Sequence, residues 1–411
     1  MFTLRIRSMV LSVVFAFLFL LFISSIIENQ VLYAANNNVF VVTPHRNQLK
    51  FEPISQTNLK NNPLTVDWWI SQTVSAIGPY GESTSLDLDQ NNFAHIGYIA
   101  TPQNDLMYAH WDGTKWITET IDAIGNIYGT VSLALDSHDY PHISYYDGTN
   151  MALMYAQWSG SEWLTETVEV VEWTGTQNSL ALDTNDHPHI SYIKNSNPDL
   201  LQYARWDGAT WHIETVDAGS GENPGNPSIA VDSNNYPHIG YQYDDTPYLK
   251  YAHWNGSQWE IETAGDPDYI GASLSLALDS NNRPQITYWE WFNNDLKLVK
   301  WTGSQWLVET VDSANSVGRY NSLALDNHNV PHVSYWNATD SSLMYAYLNN
   351  TFWITETIDS SANVGTHTSL ALNSFGKPGI SYYDESNDTL KYVAYALPDL
   401  DEMVYLPFIT K

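Results

Sequence analysis

The chain has 411 residues, 14% of them aromatic and 15% charged, with no cysteine and a formal charge of −30. This composition excludes a disordered chain, a disulfide framework and thiolate metal sites. An acidic surface repels phosphate backbones, so nucleic acid is excluded as a partner.

At the amino end Arg5 and Arg7 precede an apolar stretch from Met9 to Ile27, and small residues follow at Ala34 and Ala35. Basic, apolar, small is the order of a secretory signal. Residues 1–35 are therefore expected to be a signal peptide, and the chain secreted or held at a bacterial cell surface. The apolar run is also long enough to span a bilayer as an uncleaved anchor, and that alternative stays open. Residues 36–66 are rich in Asn, Gln and Pro without sustained periodicity and read as a linker or surface arm.

From Ser85 onward the chain repeats itself. SLDLD at Ser85 returns as SLALD or a variant at Ser132, Ser179, Ser228, Ser275, Ser322 and Ser369, in steps of 47, 47, 49, 47, 47 and 47 residues. Each copy carries four β-like segments, exemplified by SLALD, PHISY, LMYAQW and WLTETV, separated by Asn, Asp, Gly and Pro. Four short strands repeated at this period predict an all-β, seven-bladed β-propeller with four-stranded antiparallel blades. The last copy stops before its fourth strand. The missing piece stands upstream as WWISQTVS, residues 68–75, where Trp69 and Thr73 match Trp116 and Thr120. The amino-terminal strand is thus expected to complete the last blade, giving one domain over 67–396 and a tail over 397–411. The tail's apolar end, MVYLPFITK, reads as a surface-retention signal or as a strand packing on the propeller.

Features present in every blade are expected to be architecture. The Trp-x-Gly-x-x-Trp element recurs from Trp111/Trp116 to Trp301/Trp306, and Asn350 replaces the glycine in the sixth copy. Glycine or asparagine there predicts a turn with positive φ. His95, His142, His189, His238 and His332 share one position, too far apart to hold one ion, and predict buried hydrogen bonds to a repeat Asp or Ser such as Asp136 or Ser144. The Glu119, Glu166, Glu214, Glu262, Glu309 and Glu356 series offers no acid/base asymmetry.

Two connections per blade keep their length and two vary, and the variable pair share one end, which is the candidate binding face. There stand the non-repeating Trp173, Trp289, Trp291 and Trp336, with Tyr146 and Tyr383 at the equivalent position and Asp147, Asp245, Glu290 and Asp384 beside them. Aromatic rings next to carboxylates suit sugars: rings stack on C–H faces and carboxylates hold hydroxyls. The Asp-rich loops YDDT (243–246) and YDESND (383–388) offer oxygens to Ca2+ but show no recognised ligand spacing, so no cofactor is expected.

At the turn between third and fourth strands, Gly113 and Trp116, Gly160 and Trp163, and Gly208 and Trp211 resemble the Asp-box repeat of sialidase-like propellers. Trp111, Trp158 and Trp206 stand where that family has its Asp, so the resemblance covers the turn and the fold. It does not extend to activity: sialidases converge three arginines on a carboxylate, whereas Arg205, Arg283 and Arg319 fall on a third strand, an invariant turn and a variable loop. Period and tryptophan content also look like secreted propeller lectins of the tachylectin and fucose-lectin kind, which bind sugars between blades. No P-loop, HExxH or nucleophile elbow is present. The expected function is a non-catalytic binding module for a glycan or cell-surface ligand. A protein-binding scaffold or adhesin, and a glycan-active hydrolase, remain as alternatives.

Overall fold

The computed structural model describes residues 31–35, 38–45, 48–54, 68–76, 78, 83–170, 174–219, 223–243, 248–265 and 270–396. The greater part of the signal segment, the tail, Trp173 and Asp245 lie outside them. The chain divides into two compact units, Met1–Asp67 and Trp68–Lys411.

In the first unit, strands Val31–Ala35, Asn38–His45 and Gln48–Ile54 form an antiparallel sheet, with Ala35 opposite Asn38 and His45 opposite Gln48. The second and third of these strands lie within residues 36–66, the stretch read from sequence as a linker or surface arm. The run Val39–Val42 is β-branched and aromatic, and the polar pairs 36–37 and 46–47 separate the strands, a hairpin signal that overall polarity conceals.

The second unit is the seven-bladed propeller. Each blade is a four-stranded antiparallel sheet in simple up-and-down order. The last sheet runs Val364–Leu372, Pro378–Asp384, Thr389–Ala396 and then Trp68–Ala76, with Tyr395 opposite Trp69. The amino-terminal strand therefore closes the ring without a covalent link, and closure leaves only short edges.

The first strand of each blade lies innermost, and its free edge needs partners for its N–H groups. The repeat serine supplies them. Ser85 Oγ accepts the N–H of Leu133, Ser132 that of Leu180, Ser179 that of Ile229 and Ser228 that of Leu276. Ser275 then accepts Leu323, Ser322 accepts Leu370 and Ser369 accepts Leu86, which completes a belt through all seven blades.

Further out, a tyrosine ring of one blade meets a tryptophan of the next at six of the seven junctions, and at three of these the indole N–H also reaches a carboxylate of the first blade. In the first blade His95 Nδ1 meets the Tyr108 hydroxyl at 2.5 Å. Tyr108 takes the edge of Trp163 from the next blade at 5.2 Å, and Trp163 Nε1 donates to Glu119 at 3.1 Å. The same arrangement links His142, Tyr155, Trp211 and Glu166. It also crosses the closure, where Trp69 packs on Tyr345 and donates to Glu356 at 3.2 Å. The first tryptophan of each turn packs within its own blade, as Trp111 does on Trp116. The repeat histidines accordingly find a tyrosine and an Asp, with His142 Nε2 3.5 Å from Asp136; Ser144 instead donates to Asn178. In the fifth blade both partners change together, to Gln285 and Leu298. The turn glycines Gly113, Gly160 and Gly208 have φ of 93°, 91° and 94°, and Asn350 has 57°, as predicted.

Candidate functional site

The first strands converge on the ring axis. At the end carrying the variable connections they enclose a cavity of about 660 Å³. Its floor is the serine belt, and its wall is built by the two residues preceding each serine. At the outer of these positions stand Ser83, Thr130, Gln177, Asn226, Ser273, Tyr320 and His367. The lining holds hydroxyls, amides, one tyrosine, one histidine and the apolar Val131, Pro227 and Leu274, and no Asp, Glu, Lys or Arg, in a chain of net charge −30.

The wall is strained on one side. Asn226, Ser273, Tyr320 and His367, in four successive blades, have φ of 49°, 84°, 53° and 52°, a left-handed conformation that bulky side chains rarely adopt. Such conformations persist where their surroundings over-determine them. Here the next blade holds the carbonyl: Asn321 Nδ2 donates to Ser273 O, Thr368 Oγ1 to Tyr320 O and Thr84 Oγ1 to His367 O, all at 2.8–2.9 Å. The strain turns two rings together, with Tyr320 and His367 centroids 4.3 Å apart. Burial holds His367 down to about 4, so its imidazole is neutral at physiological pH. Unlike the repeat histidines, it has no ring hydrogen bond among the described residues.

Next to this wall, Tyr320 packs against Trp336 at 6.0 Å, and Arg319 lays its guanidinium 4.2 Å over the ring of Trp289. Arg319 lies inside the strand Val317–Leu325, opposite Trp336, and not in a loop as the sequence suggests. Arg205 is on a third strand and Arg283 in the turn before Pro284, as expected.

The sequence-nominated residues do not form one exposed surface. Tyr146, Tyr383, Asp147, Glu290 and Asp384 are buried, Trp289 is 7% exposed and Trp336 is half-buried. Among the described residues of this set, Trp291 alone is exposed, at 58%, in the turn after the second strand of the fifth blade. The reason is that second strands are covered on both faces by neighbouring blades: Pro141–Asp147, Pro284–Glu290 and Pro378–Asp384 are buried along their length. The carboxylates that end them cap their own turns. Asp147 accepts the N–H of Thr149 at 2.8 Å, Glu290 those of Phe292 and Asn293, and Asp384 that of Asn387. YDESND is thereby committed to its turn, and Asp388 accepts the Tyr383 hydroxyl; within YDDT, residues 244–246 lie outside the described residues.

At the opposite end, Asp136, His138 and Asp186 cluster closely enough to suggest a cation. Their carboxylates are already engaged: Asp136 accepts the N–H of His138 and Tyr140, and Asp186 accepts the N–H and hydroxyl of Ser137. This belongs to a second inter-blade belt, in which Asn235, Asn282, Asn329 and Asn92 accept an N–H from the preceding blade.

Sequence reasoning missed Tyr320 and His367. It weighed histidines by their recurrence and passed over the position two residues before each serine, where residue type changes in every blade but the first and fifth.

No known family profile matches the chain, and no curated protein matches it by sequence. Among solved structures, it is similar to an ulvan lyase, a polysaccharide lyase, bound to a saccharide: 12% identity, TM-score 0.55, 82% of this chain and 100% of that one. A second similar structure is Staphylococcus aureus virginiamycin B lyase with quinupristin, at 9% identity and TM-score 0.53, covering 80% and 100%. A third is Aleuria aurantia lectin with Fucalpha1-6GlcNAc, at 13% identity and TM-score 0.50, covering 71% and 99%. Likeness at these identities establishes the propeller fold.

Proposed function

We propose that this propeller binds carbohydrate in the axial cavity, on the face that carries the variable connections. The observation that carries the reading is the lining: hydroxyls and amides around the rim, no formal charge, and the Tyr320–His367 wall on one side. Neutral donors and acceptors match sugar hydroxyls, and a ring face matches sugar C–H groups. A protein-binding surface would instead want an apolar centre. The reading includes export, which rests on the order of residues 5–35.

A glycan array followed by calorimetry tests it. Tyr320→Ala and His367→Ala should weaken saccharide binding about tenfold or more, as expected when a stacking partner is lost from a small pocket. Phe375→Ala, 74% exposed at the opposite end, should change nothing. Binding that survives both cavity variants, or no binding to any saccharide, would remove the reading. One observation favours a glycan-active alternative, the neutral imidazole of His367 beside Tyr320, without a ring hydrogen bond among the described residues. Release of new reducing or unsaturated ends from a bound polysaccharide would decide for it.

A further inference from the structure

We infer that Arg319 and Trp289 form an anion subsite, so that the saccharide carries an acidic group, a carboxylate or a sulfate, bound between the fifth and sixth blades. The inference rests on the saccharide reading above and names the class of saccharide.

Three observations carry it. First, Arg319 has no carboxylate within salt-bridge distance among the described residues, although the chain holds 46 Asp and Glu against 16 Lys and Arg. Four of the propeller's seven lysines are paired with a carboxylate among the described residues, as Lys297 is with Asp295 at 3.0 Å, Lys300 with Glu309 at 2.6 Å and Lys391 with Asp359 at 2.8 Å. Of the propeller's three arginines, Arg205 and Arg283 are exposed and Arg319 is partly buried. A partly buried guanidinium that rests on a ring but has no carboxylate among the described residues is better satisfied when an anion joins it.

Second, Arg319 and the two tryptophans linked to it, Trp289 by stacking and Trp336 by strand pairing, each hold a donor without an acceptor. Arg319 Nε, Trp289 Nε1 and Trp336 Nε1 are all buried without a hydrogen-bond partner, and neither side-chain type can accept. Trp289 is more than nine-tenths buried. A set of unsatisfied donors beside a guanidinium calls for an acceptor with negative charge, and a planar carboxylate or a sulfate fits the guanidinium fork. Stacking on Trp289 at 4.2 Å fixes the plane of that fork before any ligand arrives.

Third, the pairing breaks the repeat. The place of Arg319 is taken by Thr176, Ala272 and Thr366 in other blades, and the place of Trp289 by Ile99, Tyr146, Ile193, Gln242, Trp336 and Tyr383, so a ring recurs there but the arginine does not. The combination occurs once, one residue along the chain from the cavity wall at Tyr320. The overall charge of −30 does not forbid it: screening over about 8 Å at physiological ionic strength leaves the local guanidinium dominant over distant carboxylates.

The test uses two matched pairs: oligogalacturonate with its methyl ester, and sulfated with unsulfated dextran. The charged member of one pair should bind about tenfold or more tightly than its neutral counterpart, and the pair that responds identifies carboxylate or sulfate. Arg319→Gln should abolish that preference while the neutral member binds as before, and Arg319→Lys should keep part of it. Trp289→Phe, which keeps the ring and removes the N–H, should weaken the charged ligand alone, with circular dichroism confirming the fold. Equal affinity within both pairs, a preference that survives Arg319→Gln, or failure of a saccharide-binding protein to take either charged member would overturn the inference and leave the saccharide reading standing. Failure to bind any saccharide at all would overturn both.

Discussion

Leu86 donates its N–H to the hydroxyl of Ser369 at 3.0 Å, across the point where the two ends of the propeller sequence meet. The same bond joins every other pair of adjacent blades, so the serine that marks each repeat also holds the inner edges together. Ser179→Ala should leave the N–H of Ile229 without its partner and lower stability by about 1 kcal/mol or somewhat more. In a domain of this size that is a fall in Tm of roughly 2 °C. Scanning calorimetry should show no change for Ser161→Ala in an exposed turn; equal Tm values for the two variants would deny the belt any energetic role.

The outer strand of the last blade comes from the other end of the chain. A chain beginning at residue 67 should fold. One beginning at residue 78 lacks Trp69, its contact with Tyr345 and its hydrogen bond to Glu356, and leaves Thr389–Ala396 as an open edge. We expect the shorter chain to aggregate or to melt at a much lower temperature by size-exclusion chromatography and calorimetry. Equal stability of the two would mean that the closing strand is dispensable.

Acid should weaken the ring. Burial holds His95, His189, His238 and His332 down to about 4, and lowers His142, against an ordinary value of 6.5. Between those values the unfolded chain binds protons that the folded chain refuses. The stability from these groups is therefore complete above about pH 6.5 and is lost as pH falls toward 4. Each unit of depression is worth about 1.4 kcal/mol per histidine, so Tm should drop steeply across that window. His332→Gln with Tyr345→Leu copies the fifth blade's Gln285 and Leu298 and should flatten the drop. An unchanged slope would show that other groups control it.

Strain at the cavity separates stability from binding. His367 has φ of 52°, where glycine is relaxed and alanine is not. His367→Gly should therefore be more stable than His367→Ala, by about 1 kcal/mol, while both lose the Tyr320 contact and saccharide affinity. A glycine variant no more stable than the alanine one would mean that the left-handed conformation is not strained.

The propeller was legible because its information is periodic. Seven serines at near-constant spacing, a glycine or asparagine in six turns, and WWISQTVS standing where a fourth strand was missing are each readable from the letters. The candidate site was less legible. Asp147, Glu290 and Asp384 look like ligands in the sequence, yet they cap turns; Trp289 looks exposed, yet neighbouring blades cover it. A second strand has neighbours on both faces, and period-two alternation does not say whether both are covered.

The order of residues thus determined the propeller's strands, their number and the closure, because hydrogen-bonding pattern and turn chemistry act over a few residues and repeat. Which side chains meet on the axis was decided only by closing the ring. Tyr320 and His367 are 47 residues apart, Trp289 and Arg319 are 30, and neither distance carries a local signal. They come together because the angle between blades is set by packing summed around the whole circle, a quantity that no single segment contains.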